Sequence, residues 1–385
     1  MKHPIPVVYI ITKLELGGAQ KVCLSLLNGL EEDMHTMLIS GTDGPLVQKV
    51  QQKKNIYLLP SLTREVGLRG IINELCCFVD LIRQLRTLKK QHPDLIVHTH
   101  STKAGILGRW AALFAGIKRR MHTIHGYAFH DHQPWLIRSL IMAVEWCTSL
   151  ITTHFVCVSS YDAKVGNQLF PRFAQKHTII RAAVDWQQFY IPARRCDFPD
   201  EQPFIFGTVA CFKKQKNMFD LLNAFAYTHK QYPQARLEII GDGALRPAIE
   251  QWITDHALQE VITLHGWQHT VAPIMLNWHA FVLSSLWEGL PCAVVEARLL
   301  KLPVISYATG GIPDVIKDQV NGLLIEQKDW QALAHSMLTL ARQKSYHQRL
   351  SNHHDELQDF NDTQMIALHK ELYHKLSKKK REKHV

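Results

Sequence analysis

Residues 279–316 have the sequence HAFVLSSLWEGLPCAVVEARLLKLPVISYATGGIPDVI. The apolar runs at 279–283 and 302–306 are short and bounded by turn residues, and the segment between them has the length of a helix. Short apolar strands that alternate with helices are typical of βα units in a parallel sheet. This stretch therefore predicts an α/β fold.

The same alternation continues on both sides of this stretch. It predicts strands, in chain order, at 5–11, 34–40, 55–59, 94–99, 120–125, 154–158, 204–210, 235–240, 260–264, 279–283 and 302–306. A chain of 385 residues, of which 46% are hydrophobic, is longer than one hydrophobic core usually supports. We therefore predict two Rossmann-like domains, each with a doubly wound parallel sheet.

A segment at 186–203 that is rich in proline and charge separates the two sets of predicted strands. It predicts a linker between an N-terminal domain (1–185) and a C-terminal domain (204–350). We expect a C-terminal helix at 351–377 that packs back on the N-terminal domain, followed by a basic tail at 378–385. Doubly wound sheets bind ligands at the carboxyl ends of their strands, so two facing domains predict a binding cleft.

The charge is concentrated in the first half of the chain. The net charge is +10, and residues 1–185 alone carry +9. Such a surface suits a phosphorylated substrate, anionic lipid or nucleic acid. Because no helix-turn-helix or interleaved basic-aromatic pattern accompanies the charge, we exclude nucleic acid. The first domain and the tail KKKREKHV are the candidate contacts for an anionic membrane surface.

Cysteine spacing and hydropathy predict the compartment. The eight cysteines form no CxxC pair, which indicates free thiols in a reducing environment. The N-terminus lacks the pattern of a signal peptide, and charged residues interrupt the most apolar region, 135–158, which we interpret as a helix followed by a strand. We expect a cytoplasmic protein, with peripheral association at the inner face of the membrane.

Two carboxylates and a glycine pair follow neighbouring predicted strands. Glu288 lies in the loop after strand 279–283, and Glu296 lies in the second turn of the helix that follows. Gly310 and Gly311 come after the next strand and just before a short helix. Carboxylates accept hydrogen bonds from hydroxyl groups, while amides at a helix start donate to phosphate. The pattern suits a ligand that is both anionic and rich in hydroxyl groups, such as a sugar nucleotide.

The histidines His98 and His100 share one face of a predicted strand, an arrangement that also occurs in metal sites. We find no DxD motif and no complementary cluster of cysteine or aspartate. We therefore predict buried or cleft-lining polar residues here, and we expect neither a metal nor another cofactor.

The motif EGLP (288–291), with EA (296–297), PVI (303–305) and GG (310–311), resembles the donor-site signature of the family 4 glycosyltransferases, retaining enzymes of the GT-B fold. Other segments are similar to further family elements in the same order. These are GGAQ (17–20), VHTHSTKAGILGR (97–109), HTIHG (122–126), AVDWQQF (183–189), GTVACFKKQKN (207–217) and IIGDGALR (239–246).

The resemblance implies roles for individual residues. Glu288 would face the transferred sugar where positive charge develops, Lys216 would contact the donor diphosphate, and His125 would lie near the sugar and the acceptor. The donor-binding residues that it implies are Gly17, Gly18, Gly289, Leu290, Glu296, Gly310 and Gly311. Among these, Glu296 would hold the donor ribose.

The reaction that the resemblance implies is metal-independent, retaining transfer of a hexose from a nucleoside-diphosphate sugar, with a UDP-sugar favoured. The acceptor would be a glycan or a lipid-linked glycan in envelope polysaccharide biosynthesis. Two alternatives remain open: a sugar-nucleotide epimerase with the same fold, and a noncatalytic sugar-nucleotide binder.

One position departs from the family pattern. Many members have an arginine five residues before the lysine that corresponds to Lys216, and here this residue is Cys211. A neutral thiol cannot make a bidentate phosphate contact. Either Lys213 or Lys214 supplies a second cation, or one lysine and backbone amides hold the diphosphate.

Overall fold

The structure, a computed structural model, describes residues 4–63, 68–192 and 202–378. Within them the chain divides into two compact units. The first contains the residues up to Ala183 and those from Asp359 onward, and the second contains Val184–Gln358. Each unit is built on a parallel β-sheet with helices, which confirms the predicted fold class.

The first unit has a seven-stranded sheet in the order β3-β2-β1-β4-β5-β6-β7. Its strands are β1 Pro6–Ile11, β2 His35–Ser40, β3 Ile56–Leu58, β4 Ile96–His100, β5 Arg119–Ile124, β6 His154–Cys157 and β7 His177–Ile179. The helices that connect them are α1 Gly18–Gly29, α2 Val47–Val50, α3 Leu68–Gln91, α4 Thr102–Phe114, α5 Trp135–Ile151 and α6 Ser160–Leu169. The strand order reverses between β1 and β4, which is where doubly wound sheets usually bind ligands.

The second unit has a six-stranded sheet in the order β10-β9-β8-β11-β12-β13. Its strands are β8 Phe204–Val209, β9 Ala235–Ile240, β10 Ile262–Gly266, β11 Ala280–Leu283, β12 Val304–Tyr307 and β13 Gly322–Ile325. The helices are α7 Trp186–Phe189, α8 Met218–Gln231, α9 Arg246–Asp255, α10 Ala272–Met275, α11 Cys292–Leu299, α12 Ile312–Val315, α13 Trp330–Arg342 and α14 Lys344–Ser351.

The central strands match the sequence prediction because they are covered on both faces. Residues 7–11 of β1 and all of β11 are buried, and their apolar side chains form continuous runs. Strands of parallel sheets that are buried on both faces have this pattern. The strands β7 and β13 were not predicted. Both lie at the edge of their sheet, where a short strand has one neighbour and needs no long apolar run.

The first part of the predicted linker at 186–203 is not a linker in the structure, because residues 186–192 belong to the second unit. Asp185 accepts a hydrogen bond from the Gln188 amide and so caps α7, a helix of four residues. The Ile191 amide then donates to the Leu299 carbonyl at the end of α11. The segment up to residue 192 is therefore packed in the second unit, while 193–201 of the predicted linker lie outside the described residues.

The last helix, α15 Asp362–Lys378, belongs to the first unit. It begins later than the predicted start at 351, because residues up to 358 belong to the second unit. The Tyr373 hydroxyl is 2.6 Å from His98 Nδ1, and the Arg119 guanidinium donates to the carbonyls of Leu376 and Ser377. In the predicted tail, 379–385 lie outside the described residues.

None of the helices in the described part of the chain has both the length and the apolar character needed to cross a lipid bilayer.

Candidate active site

In the second unit, loops from three neighbouring strands meet at the carboxyl edge of the sheet. The strands are β8, β11 and β12, which are adjacent in the sheet, and the order reverses between β8 and β11. The loop after β8 leads into a 3-10 turn at Lys214–Lys216, and the loop after β11 carries Glu288. The sequence therefore places Lys216 and Glu288 at the switch point of this sheet.

Lys216 and Glu288 form an ion pair within this edge. The Lys216 ammonium contacts Glu288 Oε1, and the side chains are 18% and 8% exposed. Gln215 Nε2 lies 3.4 Å from the other carboxylate oxygen and also donates to the Trp287 carbonyl at 2.7 Å. The Leu286 amide donates to the Gln215 carbonyl, so the two loops are joined by backbone as well as side-chain contacts. Both oxygens of the Glu288 carboxylate thus have a partner.

The glycine pair approaches the backbone of the Glu288 loop. Gly310 has φ +54°, and a Cβ atom at this position would lie 1.9 Å from the Glu288 carbonyl oxygen. The Gly311 amide donates to the Gly289 carbonyl at 2.6 Å, and the Thr309 hydroxyl donates to the Leu286 carbonyl. A residue with a side chain would push this loop away. In this structure the glycines position the Glu288 loop, in addition to any contact with a ligand.

Glu296 lies in the second turn of α11 and is 2% exposed, and Leu290 is buried in the preceding loop. A buried ion pair fixes the same helix. The Arg298 guanidinium contacts Asp355 Oδ2 at 2.7 and 2.9 Å, and both side chains are almost fully buried. Asn321 Nδ2 donates to the other oxygen of Asp355 at 2.7 Å. The pair therefore holds the helix that carries Glu296 against the end of the second unit.

Cys211 lies just after β8 and is partly buried, whereas Lys214 is exposed. Both alternatives for holding the diphosphate stay predictions: a second cation from Lys213 or Lys214, or Lys216 together with backbone amides.

In the first unit, Gly17 is the N-cap of α1 and Gly18 is the first residue of the helix. In the described structure, the first turn of α1 contains no acidic side chain. The partial positive charge and the free amides of a helix N-terminus attract anions, and a nearby carboxylate would offset that attraction. The geometry of Gly17 and Gly18 therefore fits the predicted contact with a diphosphate.

His125 follows β5 and pairs with His100 at the end of β4. His100 Nδ1 and His125 Nε2 are 2.9 Å apart, so one ring donates and the other accepts. Burial and, to a smaller extent, the nearby His369 lower the pKa of His125 to about 3. Burial also lowers the pKa of His100, and the nearby His98 lowers it to a smaller extent. Both imidazoles are therefore neutral at pH 7, and His125 can exchange hydrogen bonds with hydroxyl groups without carrying charge.

The sequence interpretation missed two polar residues at the switch point of the first unit. Thr12 follows β1 and Ser101 follows β4, and their side-chain oxygens are 2.9 Å apart. The Ala104 amide at the start of α4 donates to Thr12 Oγ1. Ser101 has φ +63° and ψ +153°, a conformation that costs a non-glycine residue about 1–3 kcal/mol and is found most often at functional sites. The sequence signal that could have identified Thr12 and Ser101 is their position just after two predicted strands.

Gln215 in the second unit was also missed, because a glutamine between two lysines has no motif of its own.

As to metal ligands, no three histidine, cysteine, aspartate or glutamate side chains come together as a possible metal site among the residues described. His98 is instead held by Tyr373 and by Thr123 Oγ1 at 2.7 Å.

Two family models match this chain in succession. The model described as Glycosyltransferase Family 4 matches residues 16–188, and the model described as Glycosyl transferases group 1 matches residues 194–356. The matched ranges contain all the residues for which the sequence predicted a catalytic or donor-binding role, from Gly17 to Gly311.

Several bacterial glycosyltransferases are similar to the chain over most of its length. The UDP-Gal:alpha-D-GlcNAc-diphosphoundecaprenol alpha-1,3-galactosyltransferase of Escherichia coli is 28% identical, covering 93% of this chain and 94% of the relative. The O-antigen biosynthesis glycosyltransferase WbnH of Escherichia coli is 23% identical over 83% of this chain and 86% of the relative.

Solved structures share the fold at lower identity. Anabaena Alr3699/HepE, in complex with UDP and glucose, has a TM-score of 0.79 at 16% identity and covers 96% of this chain and 99% of its own. Sucrose-phosphate synthase from Thermosynechococcus elongatus has a TM-score of 0.76 at 19% identity, over 97% and 99% of the two chains. These similarities show a common GT-B fold. The two family models, which together match most of the chain, show that it belongs to glycosyltransferase family 4.

Proposed function

We propose that this glycosyltransferase moves a hexose from a UDP-sugar to a lipid-linked glycan acceptor, with retention of configuration and without a metal. The reaction breaks the bond between the anomeric carbon and the donor phosphate oxygen. It forms a bond from the same carbon to an acceptor hydroxyl oxygen, and the hydroxyl proton passes to the departing diphosphate. The protein has to stabilise negative charge on the leaving group and positive charge on the sugar.

The ion pair between Lys216 and Glu288 is the observation that carries this proposal. It brings a cation and a carboxylate together at the switch point of one sheet, largely shielded from water. A bound donor diphosphate would replace Glu288 as the partner of Lys216. The Glu288 carboxylate would then face the sugar. Interactions of this kind are stronger at a partly buried site than in water.

The remaining residues are assigned to binding. Glu296 would accept hydrogen bonds from the donor ribose, with Gly289, Leu290, Gly310 and Gly311 shaping the loops around it. Gly17 and Gly18 would offer the N-terminus of α1 to the diphosphate, and neutral His125 would exchange hydrogen bonds with sugar and acceptor hydroxyls. His100 orients His125 through the 2.9 Å contact, so we include it as a positioning residue.

The choice of donor and acceptor is supported by the relatives. The Escherichia coli enzyme that is 28% identical over nearly the whole chain is named for a UDP-sugar donor and a diphosphoundecaprenol acceptor. The charge of +9 in residues 1–185 fits an acceptor that carries phosphate and lies in an anionic membrane. We therefore propose a role in envelope polysaccharide biosynthesis at the cytoplasmic face of the membrane.

The first experiment is thermal unfolding of the purified protein with UDP, GDP or ADP, each with and without EDTA. A ligand at one hundred times its dissociation constant stabilises the folded state by about 2.7 kcal/mol, which raises Tm by a few degrees. We expect a shift with UDP that EDTA leaves unchanged. A shift with GDP or ADP alone would refute the UDP assignment, and loss of the UDP shift on chelation would refute metal independence.

A transfer assay then tests the reaction itself. UDP-hexoses are incubated with a lipid-linked N-acetylglucosamine diphosphate acceptor in EDTA, and the linkage of the product is determined by NMR. We expect a product whose anomeric configuration is that of the donor. A product of inverted configuration would contradict retention, and conversion of the donor sugar without an acceptor would indicate an epimerase.

A further inference from the structure

The helix α5 has its apolar side on the outside. At 100° per residue its exposed positions form one continuous arc. They are Trp135, Leu136, Ile137, Ser139, Leu140, Ala143, Val144, Trp146, Cys147 and Leu150. Apart from Ser139, this arc contains no hydroxyl, amide or charged group, and Trp135 and Leu140 are 72% and 65% exposed. Surface helices usually have the opposite arrangement, with the apolar arc facing the core.

Polar contacts on the inner side fix this orientation. Glu145 faces inward and accepts a hydrogen bond from the Arg109 guanidinium at 3.0 Å, and Arg109 is fully buried. Arg109 also donates to Thr152 Oγ1, and Trp110 Nε1 donates to Thr148 Oγ1. If α5 rotated to bury its apolar arc, Arg109 would lose its carboxylate inside the unit, which is strongly destabilising. The outward apolar arc is therefore a stable property of the fold.

Further exposed apolar side chains come from the neighbouring helices. Phe114 of α4 is exposed and packs edge-on against Phe78 of α3, with ring centroids 5.8 Å apart. The outward side of α3 adds Ile72, Leu75 and Val79, spaced for one helical face. We call the exposed apolar residues of α3, Phe114 and α5 the apolar face. The helix α4 contacts both α3 and α5, so these side chains are exposed on neighbouring helices and are not scattered singly over the surface. Exposed apolar groups of this kind are typical of interaction sites.

Cations lie around one end of the apolar face. The Arg86 guanidinium reaches the Phe114 carbonyl, the Arg120 guanidinium donates to the Ile151 carbonyl at the end of α5, and the Lys176 ammonium donates to the Ser149 carbonyl. Lys90 and Lys118 are exposed near the ends of α3 and α4. Acidic residues are fewer here, and Asp80 and Asp94 are each paired with an arginine. This end of the apolar face, which we call the rim, is therefore positively charged.

We propose that the apolar face docks on the surface of an anionic lipid bilayer, with tryptophan and leucine side chains of α5 at the boundary of the acyl chains. The lysines and arginines at the rim would contact lipid phosphate groups. This combination of an apolar helix surface and basic neighbours is that of an interfacial membrane anchor. A second copy of the chain is a poorer partner, because it would bring the same positive rim against this one.

Docking of this kind deepens the proposed function, since it would bring the enzyme to a lipid-linked acceptor, but it can be tested without the reaction. Purified protein is floated with vesicles of phosphatidylcholine containing phosphatidylglycerol, and with vesicles of phosphatidylcholine alone. We expect binding to the anionic vesicles that weakens as salt is raised.

The test variant replaces Leu136, Leu140 and Trp146 by glutamine. All three side chains are exposed, so the fold is expected to tolerate the change. The matched control replaces the exposed apolar residues Trp267, Leu276 and Val320 of the second unit by glutamine. We expect vesicle binding to weaken about tenfold or more in the first variant, because binding scales with buried apolar area, and to be unchanged in the control.

A second variant, Lys90→Glu with Lys118→Glu, tests the charged rim. We expect it to lower binding to anionic vesicles by about tenfold or more. The thermal shift with UDP in each variant separates this proposal from the proposed function, since the vesicle result stands whether or not UDP binds.

The proposal is overturned if the protein does not float with anionic vesicles, or if the glutamine variant at α5 floats as well as the wild type. It is also overturned if sedimentation shows a dimer that this variant dissociates while vesicles are not bound. That result would assign the apolar face to a second copy.

Discussion

A Cβ atom at Gly310 would lie 1.9 Å from the carbonyl oxygen of Glu288. The two residues are in loops after neighbouring strands, β12 and β11. The close approach means that the position of the Glu288 carboxylate depends on the absence of a side chain at residue 310. This close packing explains why a glycine is needed at residue 310 even when no ligand is bound.

We expect Gly310→Ala to lower kcat/KM by about tenfold or more, because the Glu288 loop must move away from the added methyl group and small displacements of a reacting group are costly. The measurement is transfer activity together with Tm. Gly266→Ala is the matched control, since Gly266 also has positive φ (+67°) but its added Cβ would meet no atom closer than 3.8 Å. Equal losses of activity in the two variants would show that backbone strain, and not the contact with Glu288, is responsible.

The ion pair predicts different defects for its two partners. We expect Glu288→Gln to reduce kcat by roughly 10²–10³-fold, because the carboxylate that stabilises the sugar cation is lost, while the thermal shift with UDP remains. Lys216→Gln should instead weaken UDP binding, because the cation that faces the diphosphate is lost. Calorimetric titration with UDP and a transfer assay separate these effects.

Lys230 is an exposed lysine on α8, so Lys230→Gln serves as the control for removal of one positive charge. This variant should leave UDP binding and transfer activity unchanged. If Glu288→Gln abolished UDP binding as well as transfer, Glu288 would be a donor-binding residue and its assignment to the sugar cation would be wrong.

The sequence predicted the central strands and the loop of Glu288 because both have local signals. Buried parallel strands are continuous apolar runs, and the motif around Glu288 lies directly after one of them. The partnership between Gln215 and Glu288 could not be predicted, because it joins residues 73 positions apart and depends on the close packing of two loops. The strained backbone of Ser101 likewise has no signature in the residue type.

The orientation of α5 shows the limit of periodicity most clearly. The sequence of residues 135–151 predicts a helix, and its pattern predicts which residues share an arc. It does not predict which arc faces inward. That choice depends on the contact of Glu145 with Arg109, a residue on another helix, and the apolar arc consequently faces outward.

A buried histidine cluster makes the first unit sensitive to acid. Its members are His98, His100, His122, His125 and His369, and burial lowers the pKa of each. For His369 the pKa falls from the ordinary 6.5 to about 4. Between pH 4 and pH 6.5, residue His369 is therefore protonated in the unfolded chain and neutral in the folded chain. The stability that the neutral form provides is therefore complete above pH 6.5 and is lost as the pH falls.

We expect the free energy of unfolding of the first unit to fall between pH 7 and pH 5, and the contribution of His369, with its pKa of about 4, to be roughly 2 kcal/mol. His369→Leu should make the dependence on pH shallower, and the exposed His256→Gln should not change it. Calorimetric unfolding at several pH values measures these slopes. A slope that is the same in His369→Leu and in the wild type would show that His369 does not contribute to the acid sensitivity.

The pair of Arg298 and Asp355 predicts a large effect on the stability of the second unit. Both side chains are almost fully buried, and removal of one partner leaves the other charge without compensation in a region of low dielectric constant. We expect Arg298→Met to cost about 3–5 kcal/mol in the free energy of unfolding. Arg246→Met removes a partly exposed arginine from Asp242 and Glu250 and should cost about 1 kcal/mol or less.

A double-mutant cycle with Asp355→Asn shows whether the cost belongs to the pair. If it does, Arg298→Met with Asp355→Asn is more stable than Arg298→Met alone, because no unpaired charge is then buried. Because the pair holds α11, and α11 carries Glu296, UDP binding should weaken in the single variant and recover in part in the double variant. Additive losses in the two single variants would contradict this account and would mean that Arg298 stabilises α11 through packing and its bond to the Leu302 carbonyl.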